Sequence, residues 1–291
     1  ARNGICGLVE PFLLKNQNIP SSESTHIALF GYQKYFLGRG PYEAVGVGIK
    51  LKEGDIALRG NFATVNEKLI ILDRRAQRIS ETAPLIKDLK KIKISGAKFL
   101  IKRSWGHRLV LVIRGKNLSE KISDGDLKKI NVKVPKILPL ENTSSAKLTA
   151  KILNEFLEKS YEILKVHPLN RKRIENKLLP ANYILLRGAG KFKKAPSFKE
   201  KYNLNSAFIV GGALYKGIAK ILGMEEIKVK GATGLPNTNL KGKFLAAKKF
   251  IKKYDFIFLH IKAADNLAED GNFWGKKNFI EKIDKNIKPL L

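Results

Sequence analysis

The sequence predicts an α/β protein in which the strands of a sheet are joined by crossover helices. Short runs of β-branched residues alternate with segments of helical periodicity along the 291 residues, which is typical of this class. Residues 255–261 are apolar at nearly every position, as expected of a strand that is covered on both faces. These two observations favour a sheet that is packed between helices.

The predicted elements follow in chain order. The predicted strands are residues 69–72, 109–113, 183–186, 207–210 and 255–261, and the predicted helices cover roughly residues 145–165, 213–222, 243–253 and 276–287. The first of these helices has the clearest pattern, because apolar side chains recur at helical spacing after a polar cap region at residues 142–144. Residues 122–140 contain Pro135 and Pro139 and are predicted to form an irregular connection.

The chain carries a formal net charge of +30, from 56 Lys and Arg residues against 26 Asp and Glu residues. Such a charge attracts polyanions, so nucleic-acid binding is one interpretation. The lysines are dispersed along amphipathic segments, as at Lys248 and Lys249, and do not form one basic arm with interleaved aromatic residues. We therefore keep nucleic-acid binding as the weakest alternative, because the same charge also attracts small phosphorylated acids.

The single cysteine, Cys6, excludes an internal disulfide and any metal site built from several cysteines. No apolar run approaches the roughly 18 residues that a membrane-spanning helix needs. No secretion signal is recognisable at the start of the sequence. We therefore expect a cytoplasmic protein without a membrane partner, and the oligomeric state stays open.

A serine-rich loop with the sequence SSESTH, residues 21–26, precedes an apolar segment. A serine in front of a helix can cap it, and the exposed N–H groups at a helix N-terminus also attract anions. A hydroxyl in that position could accept a phosphoryl group and have it held there. From the residues alone, capping and phosphoryl transfer both stay open.

Asp265 comes shortly after the apolar strand, and Glu269 and Asp270 follow it. Ligands of open α/β sheets bind beyond the carboxyl ends of the strands, where carboxylates supply oxygen ligands to divalent cations. An acidic loop that caps the next helix is the alternative. The pattern therefore indicates either a cation site or a helix cap.

Arginines recur in or beside short strands and turns. The guanidinium group donates two parallel hydrogen bonds to phosphate or carboxylate, so several arginines that converge would suit a small dianion. Surface ion pairing is the alternative for any single arginine, although three arginines within DRRAQR repel one another unless an anion is close. His107 is a candidate for a polar site of the same kind. The arginines concerned are Arg39, Arg59, Arg74, Arg75, Arg78 and Arg108.

The order and spacing of several short motifs make the chain resemble the archaeal-type cofactor-independent phosphoglycerate mutases, which are members of the alkaline phosphatase superfamily. The resemblance covers essentially the whole chain. The motifs are SSESTH, GRGPYEAVG, RGNFAT, DRRAQR, the pair HR at residues 107–108, LRGAGK, EKY, KGATG and KAADNLAEDGN.

The resemblance implies an alkaline-phosphatase-like core, a mostly parallel sheet sandwiched by helices, that is interrupted by an inserted α+β domain. Residues 1–44 and 190–291 are expected to form the metal-binding core, and residues 45–189 the inserted domain that grips the substrate. Ser22 matches the family's serine nucleophile, and Lys201 in EKY matches a lysine that lies near the nucleophile in related enzymes.

The resemblance also implies a substrate site and a metal site. The implied substrate-binding residues are Arg59, Arg74, Arg75, Arg108 and His107. Two divalent ions are implied, manganese with magnesium, cobalt or zinc as alternatives, and their implied ligands are Ser22, Asp265 and Glu269. The family usually has histidine at the position of Glu269, so the affinity for the metal and the choice of metal would shift.

The family further uses an aspartate from an N-terminal strand and an Asp-His pair from a later C-terminal strand as metal ligands. The 291 residues contain neither segment, so we expect these ligands to lie outside them; the alternative is that the protein is inactive. The resemblance implies that Ser22 accepts the phosphoryl group and returns it, so that 2-phosphoglycerate and 3-phosphoglycerate interconvert without 2,3-bisphosphoglycerate. The alternatives are a metal-dependent phosphatase or another phosphomutase of the same superfamily. In each case the expected partner is a small phosphorylated acid.

Overall fold

The computed structural model describes residues 20–290 and divides into two compact units. Among the described residues, unit 1 combines residues 20–36 with residues 194–290, and unit 2 is Leu37–Lys193. One continuous segment therefore forms unit 2, and unit 1 is built from the two parts of the chain on either side of it. The functional roles that the sequence predicts for the two domains stay predictions.

Ten α-helices and eight strands lie between residues 20 and 290. The helices are α1 (Ser22–Leu29), α2 (Arg39–Gly46), α3 (Ala83–Leu89), α4 (Ser144–Lys165), α5 (Pro168–Glu175), α6 (Phe198–Tyr202), α7 (Ala213–Ile221), α8 (Leu240–Phe250), α9 (Ala263–Glu269) and α10 (Phe273–Ile287). The strands are β1 (Ile56–Val65), β2 (Ile71–Asp73), β3 (Lys98–Arg103), β4 (Arg108–Arg114), β5 (Tyr183–Lys191), β6 (Ser206–Ile209), β7 (Glu225–Glu226) and β8 (Phe256–Leu259). None of these helices is both long and apolar enough to cross a bilayer.

Every predicted strand and helix corresponds to an observed element, with its ends shifted by a few residues. The stretch 122–140 contains no helix or strand and makes only isolated bridges, such as Ile122 with Pro139, so its predicted irregularity is confirmed. The predictions omitted β1, β3 and the two-residue strand β7. Gly60 and Asn61 interrupt the apolar run of β1, and both residue types are depleted in strands, so its local pattern is weak.

Unit 2 is built on an antiparallel sheet. The strand order is β3-β4-β1-β5, and β2 pairs with the far end of β1. Strand β1 is central, and all ten of its residues are buried. Strand β1 can lie there because the neighbouring strands on both edges hydrogen-bond to its backbone N–H and C=O groups. This pairing compensates for the weak strand propensity of its sequence.

Helices cover both faces of this sheet. On one face, α4 packs its apolar stripe against the sheet, and the rings of Phe156 and Phe99 approach to 4.8 Å. On the other face, α2 lies so close to β1 that a Cβ atom at Gly40 would stand 1.9 Å from the Ala57 carbonyl oxygen. The predicted domain limits, after residues 44 and 189, fall within α2 and β5, both of which contact β1.

Unit 1 contains a parallel sheet in the order β7-β6-β8. Helix α7 connects β6 to β7, and α8 connects β7 to β8, so the strands are joined by crossover helices as predicted. Ala207, Ile209 and Ala247 form part of the apolar core of this unit. The molecule therefore has the predicted α/β class, with parallel strands in unit 1 and an α+β arrangement in unit 2.

Candidate active-site residues

Helix α1 begins at Ser22 because Ser21 caps it. The Ser21 hydroxyl accepts a hydrogen bond from the Ser24 backbone N–H at 3.2 Å, and the Ser21 N–H donates to the Ser24 hydroxyl at 3.0 Å, which completes a capping box. Of the two roles that the sequence left open for this serine-rich loop, helix capping is therefore observed, and Ser21 is the cap. Ser22 occupies the first helical position, where free N–H groups and the helix dipole favour an anion.

The four hydroxyl groups of this segment have different partners. Those of Ser24 and Thr25 both donate to the Ser21 carbonyl oxygen at 3.0 Å, and the Ser21 hydroxyl donates to that of Ser24. The half-buried Ser22 hydroxyl makes no hydrogen bond with any residue between 20 and 290. Within the described part of this segment, Ser22 is therefore the hydroxyl that is available to react.

His26 lies one turn after Ser22, and its Nδ1–H donates to the Ser22 carbonyl oxygen at 2.8 Å. Its ring centroid is 4.8 Å from that of Tyr215 and 5.4 Å from that of His260. Burial lowers the pKa of His26, and it lowers the pKa of His260 to about 3. Both imidazoles are therefore neutral at neutral pH, and this ring cluster supports the first turn of α1 without adding charge.

Lys201 lies at the opposite end of α1 from Ser22. Its ammonium group donates to the Gly31 carbonyl oxygen and stands 4.3 Å from the centre of the Tyr32 ring. The eight residues of α1 span about 12 Å. The structure therefore does not bring Lys201 beside the Ser22 hydroxyl, and its catalytic role stays a prediction.

Asp265 and Glu269 are exposed and lie one turn apart on α9. Asp265 forms an ion pair with Lys262, whose charge also acts on His26. Two carboxylates at this spacing can supply oxygen ligands to one cation. However, no three side chains among His, Cys, Asp and Glu gather between residues 20 and 290 in a way that could hold a metal ion. These residues therefore do not by themselves fit a complete metal site.

Lys243 on α8 is a buried charged residue that the sequence did not single out. Its ammonium group donates to the carbonyl oxygens of His260 at 2.9 Å and of Thr233 at 3.4 Å. Burial and the nearby charge of Lys216 lower the pKa of Lys243 to about 8. No sequence pattern could have identified it, because it is one of several lysines in the same helix.

In unit 2, three arginines lie around one buried carboxylate, Glu43, and a fourth, Arg187, lies beside two of them. The Glu43 Oε1 atom lies 3.0 Å from Arg39 Nε and 3.6 Å from Arg59 Nη1. The charge of Arg108 also acts on Glu43, and Arg187 repels both Arg59 and Arg108. Burial raises the pKa of Glu43, but Arg59 and Arg39 outweigh it, so the net pKa lies below the ordinary value. Glu43 is therefore ionised.

The register of the sheet forces these arginines together. Arg59 on β1 stands directly opposite Arg187 on β5, and Arg108 on β4 stands opposite Asn61, two residues further along β1. Like charges directly opposite each other destabilise a sheet. The repulsion between Arg59 and Arg187 is offset in part by Glu43 beside Arg59 and by Asp126 near Arg187.

Several buried nitrogen atoms in and beside this arginine cluster make no hydrogen bond with the part of the chain that the structure describes. The Nε atoms of Arg59, Arg108 and Arg187 are buried and make no hydrogen bond with the described residues, and the same holds for Nδ1 of His107. Each unsatisfied buried donor costs about 1–3 kcal/mol. Burial lowers the pKa of Arg59 to about 8. A bound anion would satisfy the donors and offset the buried charge, so the cluster is a candidate anion site.

The remaining predicted residues lie beside this cluster with different partners. Arg74 donates two hydrogen bonds to Asp126, at 2.8 and 2.7 Å, and Asp126 also lies 3.7 Å from Arg187 Nε. Arg75 is exposed, and its charge acts on His107. Burial and the charges of Arg108 and Arg75 lower the pKa of His107 to about 3, so it is a neutral imidazole. Among the predicted residues, Arg59, Arg108 and His107 act electrostatically on one another, and each has a buried nitrogen that makes no hydrogen bond with the described residues.

The sequence alone did not select the acid that organises this cluster. Glu43 lies within GRGPYEAVG, and Arg187 lies within LRGAGK, so both belong to motifs that carry the family resemblance. The pairing of β1 with β5 is the signal that would have identified Arg187. That pairing joins distant parts of the chain and is not visible in local patterns.

Comparison with known proteins identifies the family. Residues 1–170 match the model of the family described as 2,3-bisphosphoglycerate-independent phosphoglycerate mutase. The chain is 47% identical over 296 residues to 2,3-bisphosphoglycerate-independent phosphoglycerate mutase 1 of Archaeoglobus fulgidus, covering 99% of this chain and 71% of the relative. It is 48% identical over 291 residues to the protein of the same name from Methanocaldococcus jannaschii, covering 99% of this chain and 70% of the relative.

A solved structure agrees with these relatives. The cofactor-independent phosphoglycerate mutase from Thermoplasma acidophilum is 35% identical, with a TM-score of 0.65, over 93% of this chain and 70% of that chain. The resemblance drawn from the sequence motifs is thereby confirmed, as is the fold class. The chain belongs to the family of 2,3-bisphosphoglycerate-independent phosphoglycerate mutases.

Proposed function

We propose that this protein interconverts 2-phosphoglycerate and 3-phosphoglycerate without a 2,3-bisphosphoglycerate cofactor, and that the phosphoryl group passes through Ser22. The observation that carries the proposal is that the Ser22 hydroxyl, at the N-terminus of α1, makes no hydrogen bond with any residue between 20 and 290. Its three neighbouring hydroxyls are engaged in the cap. The names of the relatives support the choice of substrate.

In the first proposed step, the Ser22 oxygen attacks the phosphorus atom of phosphoglycerate. The bond between Ser22 Oγ and phosphorus forms, the bond between phosphorus and the glycerate oxygen breaks, and a proton equivalent to that of the serine ends on the glycerate hydroxyl. In the second step the other glycerate hydroxyl takes the phosphoryl group, and Ser22 regains its proton. The N–H groups at the start of α1 favour the phosphoserine, because they donate to anions.

Unit 2 supplies the anion-binding part of the proposal. Arg59 and Arg108 are predicted substrate-binding residues, and their buried Nε–H groups have no partner among residues 20–290. Phosphoglycerate carries a phosphate and a carboxylate, and both accept paired hydrogen bonds from guanidinium groups. The neutral His107 adds a hydrogen-bonding imidazole beside them. We propose that Arg74 and Arg75 also bind the substrate. Arg74 is hydrogen-bonded to Asp126, and the charge of Arg75 acts on His107.

We further propose that two divalent ions, manganese in the first place, take part. When bound, such ions lower the pKa of a hydroxyl and offset the charge of phosphate oxygens. Asp265 and Glu269 are suited to supply oxygen ligands, because they lie one turn apart on an exposed helix face. Residues 20–290 do not provide a complete set of metal ligands, so we propose Asp265 and Glu269 only as part of that set.

The test is the detection of phosphoserine. The full-length protein is purified, incubated with 3-phosphoglycerate and Mn²⁺, quenched in acid, digested and examined by mass spectrometry for a phosphoryl group on Ser22. The same samples are assayed for 2-phosphoglycerate and for free phosphate, so that a mutase is distinguished from a phosphatase. We expect phospho-Ser22 and 2-phosphoglycerate with little free phosphate.

Ser22→Ala should abolish both the phosphoserine and the turnover while the circular dichroism spectrum is unchanged. Ser21→Ala is the matched control one residue away. It removes the cap and should lower the free energy of unfolding by about 1 kcal/mol, but it should keep Ser22 phosphorylation. Undiminished turnover in folded Ser22→Ala would refute the proposal that the phosphoryl group passes through Ser22. If free phosphate is the main product, the protein is a phosphatase and not a mutase.

A further inference from the structure

The imidazole of His26 connects helix α1 to the parallel sheet of unit 1. Its Nδ1–H group donates to the Ser22 carbonyl oxygen at 2.8 Å. The centroid of the same ring lies 4.8 Å from that of Tyr215 and 5.4 Å from that of His260. One side chain therefore contacts both the backbone of the proposed nucleophile and two residues outside α1.

The two residues that pack against His26 come from segments that follow strands of the sheet. Tyr215 lies in the first turn of α7, shortly after β6 ends at Ile209, and His260 directly follows β8. In a parallel sheet both positions belong to the carboxyl edge, where open α/β proteins bind their ligands. The contacts of the His26 ring therefore hold the first turn of α1, with Ser22, against this edge.

His260 is itself held from several directions. Its carbonyl oxygen accepts a hydrogen bond from the Lys243 ammonium group at 2.9 Å, and its backbone N–H donates to the Ile209 carbonyl oxygen at 3.0 Å. Its ring centroid lies 3.8 Å from that of Tyr215. His260 is thus fixed through both its backbone and its ring, and it offers the His26 ring a fixed surface to pack against.

The hydrogen bond to Ser22 also defines the state of the His26 ring. A carbonyl oxygen only accepts, so the proton of the ring is on Nδ1. Burial lowers the pKa of His26, and the ring is neutral at neutral pH. His26 therefore acts on Ser22 through geometry and not through a positive charge.

The helix cap alone does not align Ser22 with the sheet. The hydrogen bonds of the capping box lie within residues 21–24, so they shape the first turn but do not fix it relative to β6 or β8. A reacting atom that is misplaced by about 1 Å can slow a reaction about a hundredfold. A side chain that joins this turn to a fixed surface is therefore expected to affect the chemical step.

We propose that His26 is a positioning residue for Ser22: its hydrogen bond to the Ser22 carbonyl oxygen and its packing against Tyr215 and His260 align the serine for phosphoryl transfer. This inference rests on the proposed function, because it takes Ser22 as the nucleophile. It adds the side chain that determines where this nucleophile stands.

The test separates the hydrogen bond of His26 from the packing of its ring. His26→Phe keeps an aromatic ring but loses the Nδ1–H donor, whereas His26→Asn keeps an N–H donor at the same position along the side chain but loses the ring. The rate of Ser22 phosphorylation by 3-phosphoglycerate with Mn²⁺ is measured by rapid quench on the full-length protein. The KM and the free energy of unfolding are measured on the same samples.

His167→Ala is the control for a loss of stability elsewhere in the chain. The His167 side chain caps α5 in unit 2, where it accepts a hydrogen bond from the Leu169 N–H. Its removal should lower the free energy of unfolding by about 1 kcal/mol. The rate of Ser22 phosphorylation should not change in this variant.

We expect His26→Phe to slow Ser22 phosphorylation about tenfold or more, with less than about a twofold change in KM, because alignment acts on the chemical step. His26→Asn should be less stable than His26→Phe, because it loses the ring packing. It should nevertheless phosphorylate Ser22 faster than His26→Phe, because it keeps the donor. A role in stability alone would give the opposite order of rates.

Phosphorylation of His26→Phe at the unmutated rate would overturn the inference and leave the proposed function intact. Rates that simply follow the stabilities of the variants would also overturn it, and so would a raised KM with an unchanged rate. If the unmutated full-length protein forms no phosphoserine, the proposed function fails, and this inference fails with it.

Discussion

The ammonium group of Lys243 lies 2.9 Å from the carbonyl oxygen of His260, within the interior of unit 1. His260 follows the last residue of β8, and the chain continues from there through Lys262 to Asp265 on α9. Lys243 also donates to Thr233, at the end of a glycine-bearing turn. One buried charge thus connects two segments at the carboxyl edge of the parallel sheet.

This charge makes the stability of the protein depend on pH in an identifiable way. Burial lowers the pKa of Lys243 from 10.5 to about 8, so the native state loses this proton at lower pH than the unfolded state does. Between about pH 8 and 10.5 the unfolded state binds more protons, and the free energy of unfolding therefore rises with pH. The contribution is at most about 1.4 kcal/mol per pH unit.

We predict that Lys243→Met removes this rise. Urea unfolding at pH 7.5 and at pH 10 should show the unmutated protein gaining about 2 kcal/mol relative to the variant. Lys241→Met, at an exposed position of the same helix, is the control and should follow the unmutated protein. Parallel pH profiles for Lys243→Met and the unmutated chain would show that the buried ammonium keeps its ordinary pKa.

A second prediction concerns Arg59 in the arginine cluster. Arg59→Lys keeps a positive charge but loses the planar fork of donors, so it should bind phosphate or carboxylate much less well. We expect the KM for 3-phosphoglycerate to rise on the order of tenfold or more, which corresponds to the loss of roughly one charge-assisted hydrogen bond.

Arg103→Lys tests the same chemical change at an exposed end of β3 in the same unit. Its steady-state kinetics should match those of the unmutated protein. If both variants show the same KM, the buried position of Arg59 has no part in substrate binding.

A third prediction concerns divalent cations. Removal of metal with EDTA should abolish turnover, and Mn²⁺ should restore it. Asp265→Asn and Glu269→Gln should each raise the Mn²⁺ concentration for half-maximal activity by on the order of tenfold, because each removes a charged oxygen ligand. Direct titration with Mn²⁺, followed by electron paramagnetic resonance, should show the same loss of affinity.

Glu281→Gln on α10 is the control for this experiment, because Glu281 is also exposed on a helix of unit 1 and pairs with Lys277. It should leave the Mn²⁺ dependence unchanged. Full activity of the unmutated chain in EDTA would contradict the metal proposal. If Asp265→Asn and Glu269→Gln both need the same Mn²⁺ concentration as the unmutated protein, Asp265 and Glu269 are not ligands of the metal.

Strong local patterns made parts of the fold predictable. Helix α4 was predicted because its apolar residues recur with helical periodicity after a polar cap region at residues 142–144, in which Thr143 is the observed cap. Strand β8 was predicted because its run of apolar residues requires cover on both faces. Each of these two patterns lies within its own short segment, so both elements could be predicted without knowledge of contacts between distant residues.

The candidate site was predictable only in part. The motif around Ser22 was recognised, but the sequence could not say which of its hydroxyls would cap the helix and which would stay free. That depends on the geometry of the capping box, in which Ser21 and Ser24 bond to each other. Likewise, Lys201 was placed near the nucleophile by resemblance, whereas its ammonium group contacts the far end of α1 in the structure.

By itself, then, the sequence determined the class of the fold, the family and most of the regular elements, because these depend on periodicity and on motifs that are short. Only the tertiary structure decided that β1 is the central strand, that Arg59 faces Arg187, that Glu43 on α2 pairs with Arg59, and that Lys243 is buried. The physical reason is that burial and strand pairing join residues far apart in the chain, and the energetics of a charge depend on those neighbours.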